Sequence, residues 1–273
     1  MKIRILYFVI IVSFCISCQP GIQKEKSIIA IIGAFDEELE LLKAQMLESE
    51  ITETNNMRVV TGILNGKYVV LALSGMGKVN AAMTTTYIIQ QYHPDKIIFS
   101  GIAGGLSPDV EPGDIVIGEK TVQHDLVTWT NDTLLPFETY NPTNGEAVPL
   151  FLKADDSLFS VAKNAIDRVE LNVIKTSEGE RSPKITSGII ACGDAFIASS
   201  AKKQELIARF GADAVEMEGA AIAQVCRQFD VPVIIIRSIS DSADEEAQTT
   251  LEGFYKTAAG NSARFVMEML TLL

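Results

Sequence analysis

The sequence is poor in the residues that bind metals and form disulfides. It has two histidines, His93 and His124, and four cysteines, at positions 15, 18, 192 and 226. Zinc sites and disulfide frameworks need several such residues at short, regular spacings. The sequence therefore argues against both, and we predict that Cys192 and Cys226, each in an apolar segment, are buried thiols.

Positive charge is also scarce. Lysine and arginine number 23 against 35 aspartates and glutamates, which gives a net charge of −12. Neutralising nucleic-acid phosphates requires a basic face, so we expect no nucleic-acid partner. The chain also lacks a Gly-x-Gly-x-x-Gly run and a Gly-Lys-Ser/Thr loop, which disfavours dinucleotides and nucleoside triphosphates. With 47% hydrophobic and 21% charged residues, the composition instead fits a globular protein with a substantial core.

A short hydrophobic run begins the chain. Lys2 and Arg4 precede the apolar residues 5–16, a run shorter than the roughly 20 residues that cross a bilayer. A basic start, a short apolar stretch and a small residue at its end are typical of a secretory signal peptide. We predict a signal peptide over residues 1–17, a polar tether over 18–26 and one folded domain over 27–273.

The end of this leader, Cys15-Ile16-Ser17-Cys18, resembles a bacterial lipoprotein signal. In such a signal, cleavage follows Ser17 and a lipid is attached to Cys18. This predicts an extracytoplasmic protein, lipid-anchored to a bacterial membrane at its periplasmic face or at the cell surface. A plain signal peptide and an uncleaved anchor are the alternatives.

Apolar runs and helical patterns alternate over the rest of the chain. Asn65-Gly66 between two apolar runs is a strong hairpin signal. The irregular segment 119–150 is long enough to indicate a functional or interface loop. Alternation predicts a largely parallel sheet covered on both faces. The predicted strands are 27–32, 58–64, 67–73, 97–99, 115–118, 171–175, 184–192, 212–216 and 232–238, with helices over 36–46, 78–89, 155–170, 201–210, 217–228 and from 249.

Three sets of polar or glycine residues follow predicted strands, where ligands bind in such folds. They are 33–38, with three acidic residues; 100–105, with three glycines; and the pair 215–219 and 237–242, with glutamates, an arginine and an aspartate. Each has a simpler explanation. Acidic residues stabilise a first helical turn by about 0.3–1 kcal/mol, glycines permit tight turns, and an Arg–Glu pair can be purely structural. Their joint position at strand ends favours a binding site.

Seven segments, in order, carry a family resemblance: GAFDEE (33–38), SGMGKVNAA (74–82), GIAGGL (101–106), PGDIV (112–116), GDAFI (193–197), AVEMEGAAIA (214–223) and RSISDSAD (237–244). Together they resemble 5′-methylthioadenosine/S-adenosylhomocysteine nucleosidases, a family of the purine nucleoside phosphorylase superfamily. The resemblance implies an α/β fold, a three-layer sandwich with a central twisted mixed β-sheet flanked by helices. It also implies a homodimer, with Val127 and Trp129 in a segment that completes the partner's pocket.

The implied activity is hydrolysis of the N-glycosidic bond of methylthioadenosine and adenosylhomocysteine, and also of 5′-deoxyadenosine. The products are adenine and the 5-substituted ribose, which enter purine and methionine salvage. By resemblance, Glu38 activates the attacking water and Asp241 protonates adenine N7. No metal or organic cofactor is needed. An acid on the leaving group and a base on water divide the work of breaking a glycosidic bond. Asp241 must act while protonated, so we expect burial against the purine to raise its pKa.

The resemblance also implies the residues that bind substrate. Phe196 stacks on the purine, Ile197 offers it backbone bonds, and Glu218 holds the sugar hydroxyls. The remaining implied contacts are Met217 at the ribose, Arg237 supporting Glu218, Ser240 beside Asp241, Ala103 and Gly104 as backbone lining, and Met76 at the 5′ substituent. Ile102 stands where a serine is common, and Leu251 near a position often filled by an aromatic, with Phe254 a substitute. These two differences bear on the preferred 5′ substituent.

Two other functions stay open at this point. A nucleoside phosphorylase has the same fold, but its phosphate would meet Asp36, Glu37 and Glu38, and no arginine lies between Ile22 and Asn56. Phosphate needs cationic or N–H donors, so hydrolysis is favoured. The second alternative is a surface-displayed binding or adhesion lipoprotein. The charge of −12 disfavours polyanionic partners, and the retained Glu38, Glu218 and Asp241 favour catalysis.

Overall fold

Strands and helices alternate along the chain in a computed structural model that describes residues 27–54, 56–131, 133–176 and 179–273. The predicted signal peptide, tether and lipidation site Cys18 lie outside these residues. The sixteen strands described are β1 Ile28–Gly33, β2 Leu47–Thr54, β3 Met57–Leu64, β4 Lys67–Leu73, β5 Lys96–Gly105, β6 Ile115–Gln123, β7 Val127–Trp129, β8 Leu134–Pro136, β9 Thr139–Tyr140, β10 Ala147–Val148, β11 Phe151–Lys153, β12 Ile174–Thr176, β13 Gly179–Arg181, β14 Ile185–Cys192, β15 Ala214–Glu216 and β16 Val233–Asp241. The six helices described are α1 Asp36–Gln45, α2 Lys78–Tyr92, α3 Asp156–Ala165, α4 Ser200–Phe210, α5 Gly219–Gln228 and α6 Ala247–Leu272.

Ten of the strands form one mixed sheet. From its edge the order runs β2, β3, β4, β1 and β5, and the hairpin β3–β4 is antiparallel whereas β4, β1 and β5 are parallel. Beyond β5 the sheet closes on itself, because β16 pairs with both β5 and β6, β6 with β14, β14 with β15, and β15 with β5. The expectation of a largely parallel sheet is wrong, because five pairs of the described sheet are antiparallel: β2–β3, β3–β4, β5–β15, β6–β16 and β6–β11. The mixed, helix-flanked sheet is confirmed.

Both faces of the central strands are buried, which explains their uninterrupted apolar sequences. Neighbouring residues of β1 point to opposite faces: Ile31 packs with Leu39 and Phe265 on the side of α1, α3 and α6. Ile32 packs with Ile88 on the side of α2 and α5. This two-residue alternation is the geometry of a strand, and it gives the three layers of the fold.

Several predicted boundaries differ from the structure. Residues 101–105 do not follow a strand but form the end of β5. The irregular segment 119–150 begins with the continuation of β6 to Gln123 and includes the short pairs β7–β8 and β9–β10. Strand β2 was not predicted, because its sequence LESEITET has no buried face and all but its last residue are exposed.

The two cysteines within the described residues are free and fully buried, as predicted. Burial raises the pKa of the Cys192 thiol and that of Cys226. Within the described part of the chain, no helix is both long and apolar enough to span a membrane.

Candidate functional site

A cavity of about 390 Å³ lies at the carboxyl ends of β5, β15 and β16. Its wall combines apolar side chains with a few carboxyl and hydroxyl groups, a composition typical of small-molecule sites. The lining residues are Phe35, Met76, Ile102, Ala103, Gly104, Ala195, Phe196, Ile197, Val215, Glu216, Met217, Glu218, Ser240, Asp241, Gln248 and Leu251. Nine of the eleven predicted site residues are among them, and the other two, Glu38 and Arg237, are fully buried beneath this wall.

Glu38 is held by backbone donors at the start of α1. Its Oε2 accepts hydrogen bonds from the N–H groups of Ala34 at 2.6 Å and Phe35 at 3.1 Å, and its Oε1 accepts one from Ile102 at 2.9 Å. Gly101 makes room for this arrangement, because a Cβ there would collide with the Glu38 carboxylate and with Arg237. Burial raises the pKa of Glu38, and Arg237 and the backbone N–H groups partly oppose that shift.

Arg237 is a fully buried cation shared by three carboxylates. Its Nη2 lies 2.5 Å from Glu216 Oε2 and 3.6 Å from Glu218 Oε2, and its Nη1 lies 3.9 Å from Glu38 Oε1. The guanidinium carbon also lies 3.8 Å from the ring centre of Phe99, a cation–π contact. Sequence reasoning paired Arg237 with Glu218, but its closest partner is Glu216.

Glu216, the last residue of β15, also accepts hydrogen bonds from the backbone at the start of α5. Its carboxylate accepts hydrogen bonds from the N–H groups of Glu218 at 3.0 Å and Gly219 at 2.7 Å, at the start of α5. These are donors that a helix N-terminus would otherwise leave unpaired. Because Glu216 satisfies them, the Glu218 side chain is free of the capping role and lies in the cavity wall.

Glu218 is buried and borders both the cavity and the start of α2. Its Oε1 accepts a hydrogen bond at 2.7 Å from the N–H of Gly77, whose φ of 91° favours glycine. Burial and the neighbouring Glu216 raise the pKa of Glu218 to about 7, although Arg237 opposes the shift. The carboxyl therefore changes its charge close to neutral pH.

Asp241 ends β16, after a break in the pairing register beyond Ile239. Its Oδ2 accepts a hydrogen bond from the Ser240 hydroxyl at 2.8 Å, and its Oδ1 accepts one from the N–H of Ala243 at 2.9 Å. Burial raises the pKa of Asp241, chiefly because water is excluded. The direction expected from the sequence is therefore confirmed, and it arises from the protein's own packing.

Sequence reasoning missed some residues that the fold brings to this site. Phe35 and Gln248 line the cavity without having been assigned a role, and Glu216 holds Arg237. The signal for Glu216 was its place at the end of an apolar strand, two residues before Glu218. Ile102 and Leu251, noted as family differences, are both in the wall. Among the described residues, no group of three or more side chains is arranged to hold a metal ion.

Comparison with known proteins places this fold and site in one family. The model of the phosphorylase superfamily matches residues 28–271. A 5′-methylthioadenosine/S-adenosylhomocysteine nucleosidase of Exiguobacterium sp. is 39% identical over 241 residues, which are 88% of this chain and 95% of that protein.

Solved structures agree with the match in sequence. The Neisseria meningitidis 5′-methylthioadenosine/S-adenosylhomocysteine nucleosidase, in complex with methylthio-immucillin-A, has a TM-score of 0.79 at 38% identity, over 90% of this chain and 100% of that one. A futalosine hydrolase of Helicobacter pylori has a TM-score of 0.77 at 33% identity, over 91% of this chain and 99% of that one. The resemblance in the seven sequence segments is thus confirmed, and the chain belongs to the 5′-methylthioadenosine/S-adenosylhomocysteine nucleosidase family of the phosphorylase superfamily.

Proposed function

We propose that this protein is an N-ribosyl hydrolase that cleaves the glycosidic bond of 5′-methylthioadenosine and S-adenosylhomocysteine, and also that of 5′-deoxyadenosine. The products are adenine and the 5-substituted ribose. The observation that carries the proposal is one cavity served by two buried carboxyls, Glu38 and Asp241, in different hydrogen-bonding surroundings. Family membership supports the substrate class.

The two carboxyls divide the reaction. Asp241, whose pKa is raised by burial, delivers a proton to purine N7 as the bond to the sugar breaks. Glu38 accepts a proton from water, which attacks the anomeric carbon. Gly101 approaches Glu38 and Gly104 approaches Asp241, and these glycines are three residues apart on β5, about 10 Å along a strand. That span suits a sugar at one end and a purine ring at the other.

Water rather than phosphate is the nucleophile. Phosphate would need N–H or cationic donors beside the sugar. Here the N–H groups of Ala34, Phe35 and Ile102 already bind the Glu38 carboxylate. Arg237 is surrounded by three carboxylates and is fully buried. A phosphate ion would meet negative charge where a phosphorylase needs positive charge.

The other residues of the cavity hold the nucleoside. Phe196, which is half-exposed at the cavity wall, stacks on adenine, and the backbone of Ile197 bonds to its edge. Glu218 accepts bonds from the ribose hydroxyls beside Met217, and Arg237 stabilises its ionised form. Further contacts come from Ala103 and Gly104 as backbone lining, Ser240 beside the acid, and Met76 at the 5′ substituent.

The active protein is a homodimer in this proposal. Large apolar side chains are exposed beside the cavity on α2, where Val79 is 79% and Met83 53% exposed. Trp129, on the hairpin β7–β8, is 78% exposed. Apolar patches of this kind are usual at protein–protein contacts. A partner's segment around Val127 and Trp129 would close the pocket near Met76.

The protein acts outside the cytoplasm. This part of the proposal rests on the signal-like residues 1–17 and on lipid attachment at Cys18. The excess of acidic residues would be repelled by anionic lipids, so the lipid would provide the anchor.

The deciding experiment measures adenine release from methylthioadenosine with and without phosphate. Hydrolysis predicts equal rates and free methylthioribose as the co-product. Release that requires phosphate would make the protein a phosphorylase. No release by folded protein would leave the binding-protein alternative. Adenosylhomocysteine, 5′-deoxyadenosine and futalosine, run in parallel, rank the 5′ substituents.

A further inference from the structure

The turn that carries Asp241 is held at three points by the start of α4. The Lys203 Nζ donates a hydrogen bond to the Ser242 carbonyl at 2.8 Å, and the Ser199 N–H donates one to the Ala243 carbonyl at 3.3 Å. Ser200 adds bonds from its N–H and its hydroxyl to Glu245, at 3.0 and 2.5 Å. The start of α4 is therefore fastened to Ser242 and Ala243, the two residues that follow Asp241, and to Glu245.

This turn needs such support because its backbone is strained. Ala243 is fully buried and has a φ of 51°, in the left-handed region that a residue with a side chain rarely adopts. The same residue donates its N–H to Asp241 Oδ1. If the turn relaxed to an ordinary conformation, that donor would move and the carboxyl would lose its fixed orientation.

Lys203 also supplies charge at this place. Its ammonium group lowers the pKa of Asp241, whereas Asp244 in the acid's own loop raises it. On the remaining sides, β5 presents Gly104 to the Asp241 carboxyl, and Glu216 and Glu218 belong to the wall of the same cavity. Lys203 is thus the cation of α4 whose charge favours the ionised form of Asp241.

We propose that Lys203 is a positioning residue for the acid of the reaction: it fastens the 241–243 turn through the Ser242 carbonyl, and this bond holds its positive charge at the residue that follows Asp241. The inference rests on the proposed function for its kinetic consequence only. Its structural consequence, the state of the Asp241 carboxyl, can be measured without any substrate.

The neighbouring Lys202 provides a matched control. It lies on the same turn of α4 and carries the same charge, but its Nζ pairs with Glu205 at 3.0 Å and makes no hydrogen bond to the acid's turn. K203M and K202M therefore remove the same charge from the same helix, and only the first removes the bond to Ser242. K203R keeps a cation and a donor at position 203.

The first measurement is a ¹³C NMR titration of the aspartate carboxyls, in which D241N identifies the Asp241 signal. The expected result is a higher pKa of Asp241 in K203M than in the wild type, with K202M and K203R unmoved. The second is the pH profile of kcat/KM for adenine release, whose alkaline limb reports loss of the proton from the free enzyme's acid. That limb should move to higher pH in K203M alone, and the plateau should fall by up to about tenfold, the value of one hydrogen bond.

The outcomes separate the two proposals. An Asp241 titration in K203M that matches the wild type, or an equal change in K202M, overturns the role of Lys203. Wild-type protein that titrates as expected but releases no adenine overturns the proposed function and leaves the positioning role standing. Thermal unfolding of each variant checks the fold, and a K203M that fails to fold is replaced by K203Q.

Discussion

The two ends of the cavity hold buried carboxyls in different surroundings. At one end Glu38 accepts three backbone N–H bonds and lies 3.9 Å from the Arg237 guanidinium. At the other end Asp241 accepts one hydroxyl and one N–H, and no ion pair reaches it within the described residues. Burial raises the pKa of both groups. The ionised form has three backbone donors and a nearby guanidinium at the Glu38 end, but two donors and no ion pair at the Asp241 end.

Because of this difference in surroundings, carboxyl groups can supply both the base and the acid of one reaction. Excluding water favours the protonated form of any carboxyl, whereas donors and cations favour the ionised form. Where many donors converge, the group can act as a base; where few do, it keeps a proton to deliver. Two carboxyls of one cavity with different hydrogen-bond partners fit the roles of an acid and a base.

The largest effect should come from the Asp241 end. D241N cannot deliver the proton, so kcat/KM for adenine release should fall by about 10³- to 10⁴-fold. In D241N the amide oxygen can accept the Ala243 N–H and the amide NH₂ can donate to the Ser240 hydroxyl oxygen, so the free energy of unfolding at pH 7 should not fall. Adenine binding by calorimetry should be retained. Turnover at the wild-type rate would remove Asp241 from the mechanism.

The Glu38 end should respond differently. E38Q removes the base and should lower kcat/KM by about 10²- to 10³-fold. It also turns an amide NH₂ group toward backbone N–H donors, which leaves buried donors unpaired and should cost about 1–3 kcal/mol of stability. Denaturant unfolding of E38Q beside D241N checks the contrast. Equal stability of the two variants would contradict the proposed difference between the ends.

The third prediction concerns Glu218 and the pH dependence of the free energy of unfolding. Its pKa is about 7 in the folded protein against an ordinary value of 4.5. The folded state therefore binds more protons between these values, and the contribution of Glu218 to stability is fully present below pH 4.5 and lost as the pH rises through 7. E218Q has no such loss. Relative to the wild type, its free energy of unfolding should rise across this interval by about 3 kcal/mol at most.

Urea unfolding of both proteins at several pH values between 4 and 8 measures this difference. The prediction requires the two stability curves to diverge with rising pH. Parallel curves would mean that the pKa of Glu218 is not raised, and the charge distribution around Arg237 would then have to be different.

The smallest effect concerns Glu216, which the sequence did not single out. Its negative charge raises the pKa of Glu218 and it holds the Arg237 Nη2 at 2.5 Å. In E216Q, Arg237 is free to turn to Glu218, and the pKa of Glu218 should fall. The acidic limb of the kcat/KM profile should move to lower pH. We also expect KM to rise by about tenfold, because the start of α5 loses a charged acceptor. The control is E205Q, a change of the same type on the exposed face of α4.

The sequence carried much of the fold because local signals agreed with the final structure. The Asn65-Gly66 turn, the apolar strands on both sides of it and helix α2 fell close to their predicted places. Strand β2 was not predicted, because it pairs along one edge only and has no buried face. The glycines of β5 read as a loop, since nothing local reveals that β15 and β16 pair with them.

For the site, residue type and strand pattern were enough to predict which carboxyls are present and that they follow strands, because both are local properties of the chain. Which partners each carboxyl binds depends on the packing of distant segments. Arg237 could have paired with either glutamate; in the fold its Nη2 lies 2.5 Å from Glu216, whose carboxylate also accepts the N–H of Gly219 at the start of α5. The same holds for Lys203, whose hydrogen bond to the Ser242 carbonyl joins residues 39 positions apart in the chain. The pKa of each group depends on the water excluded and the charges brought near, and both are properties of the packed fold.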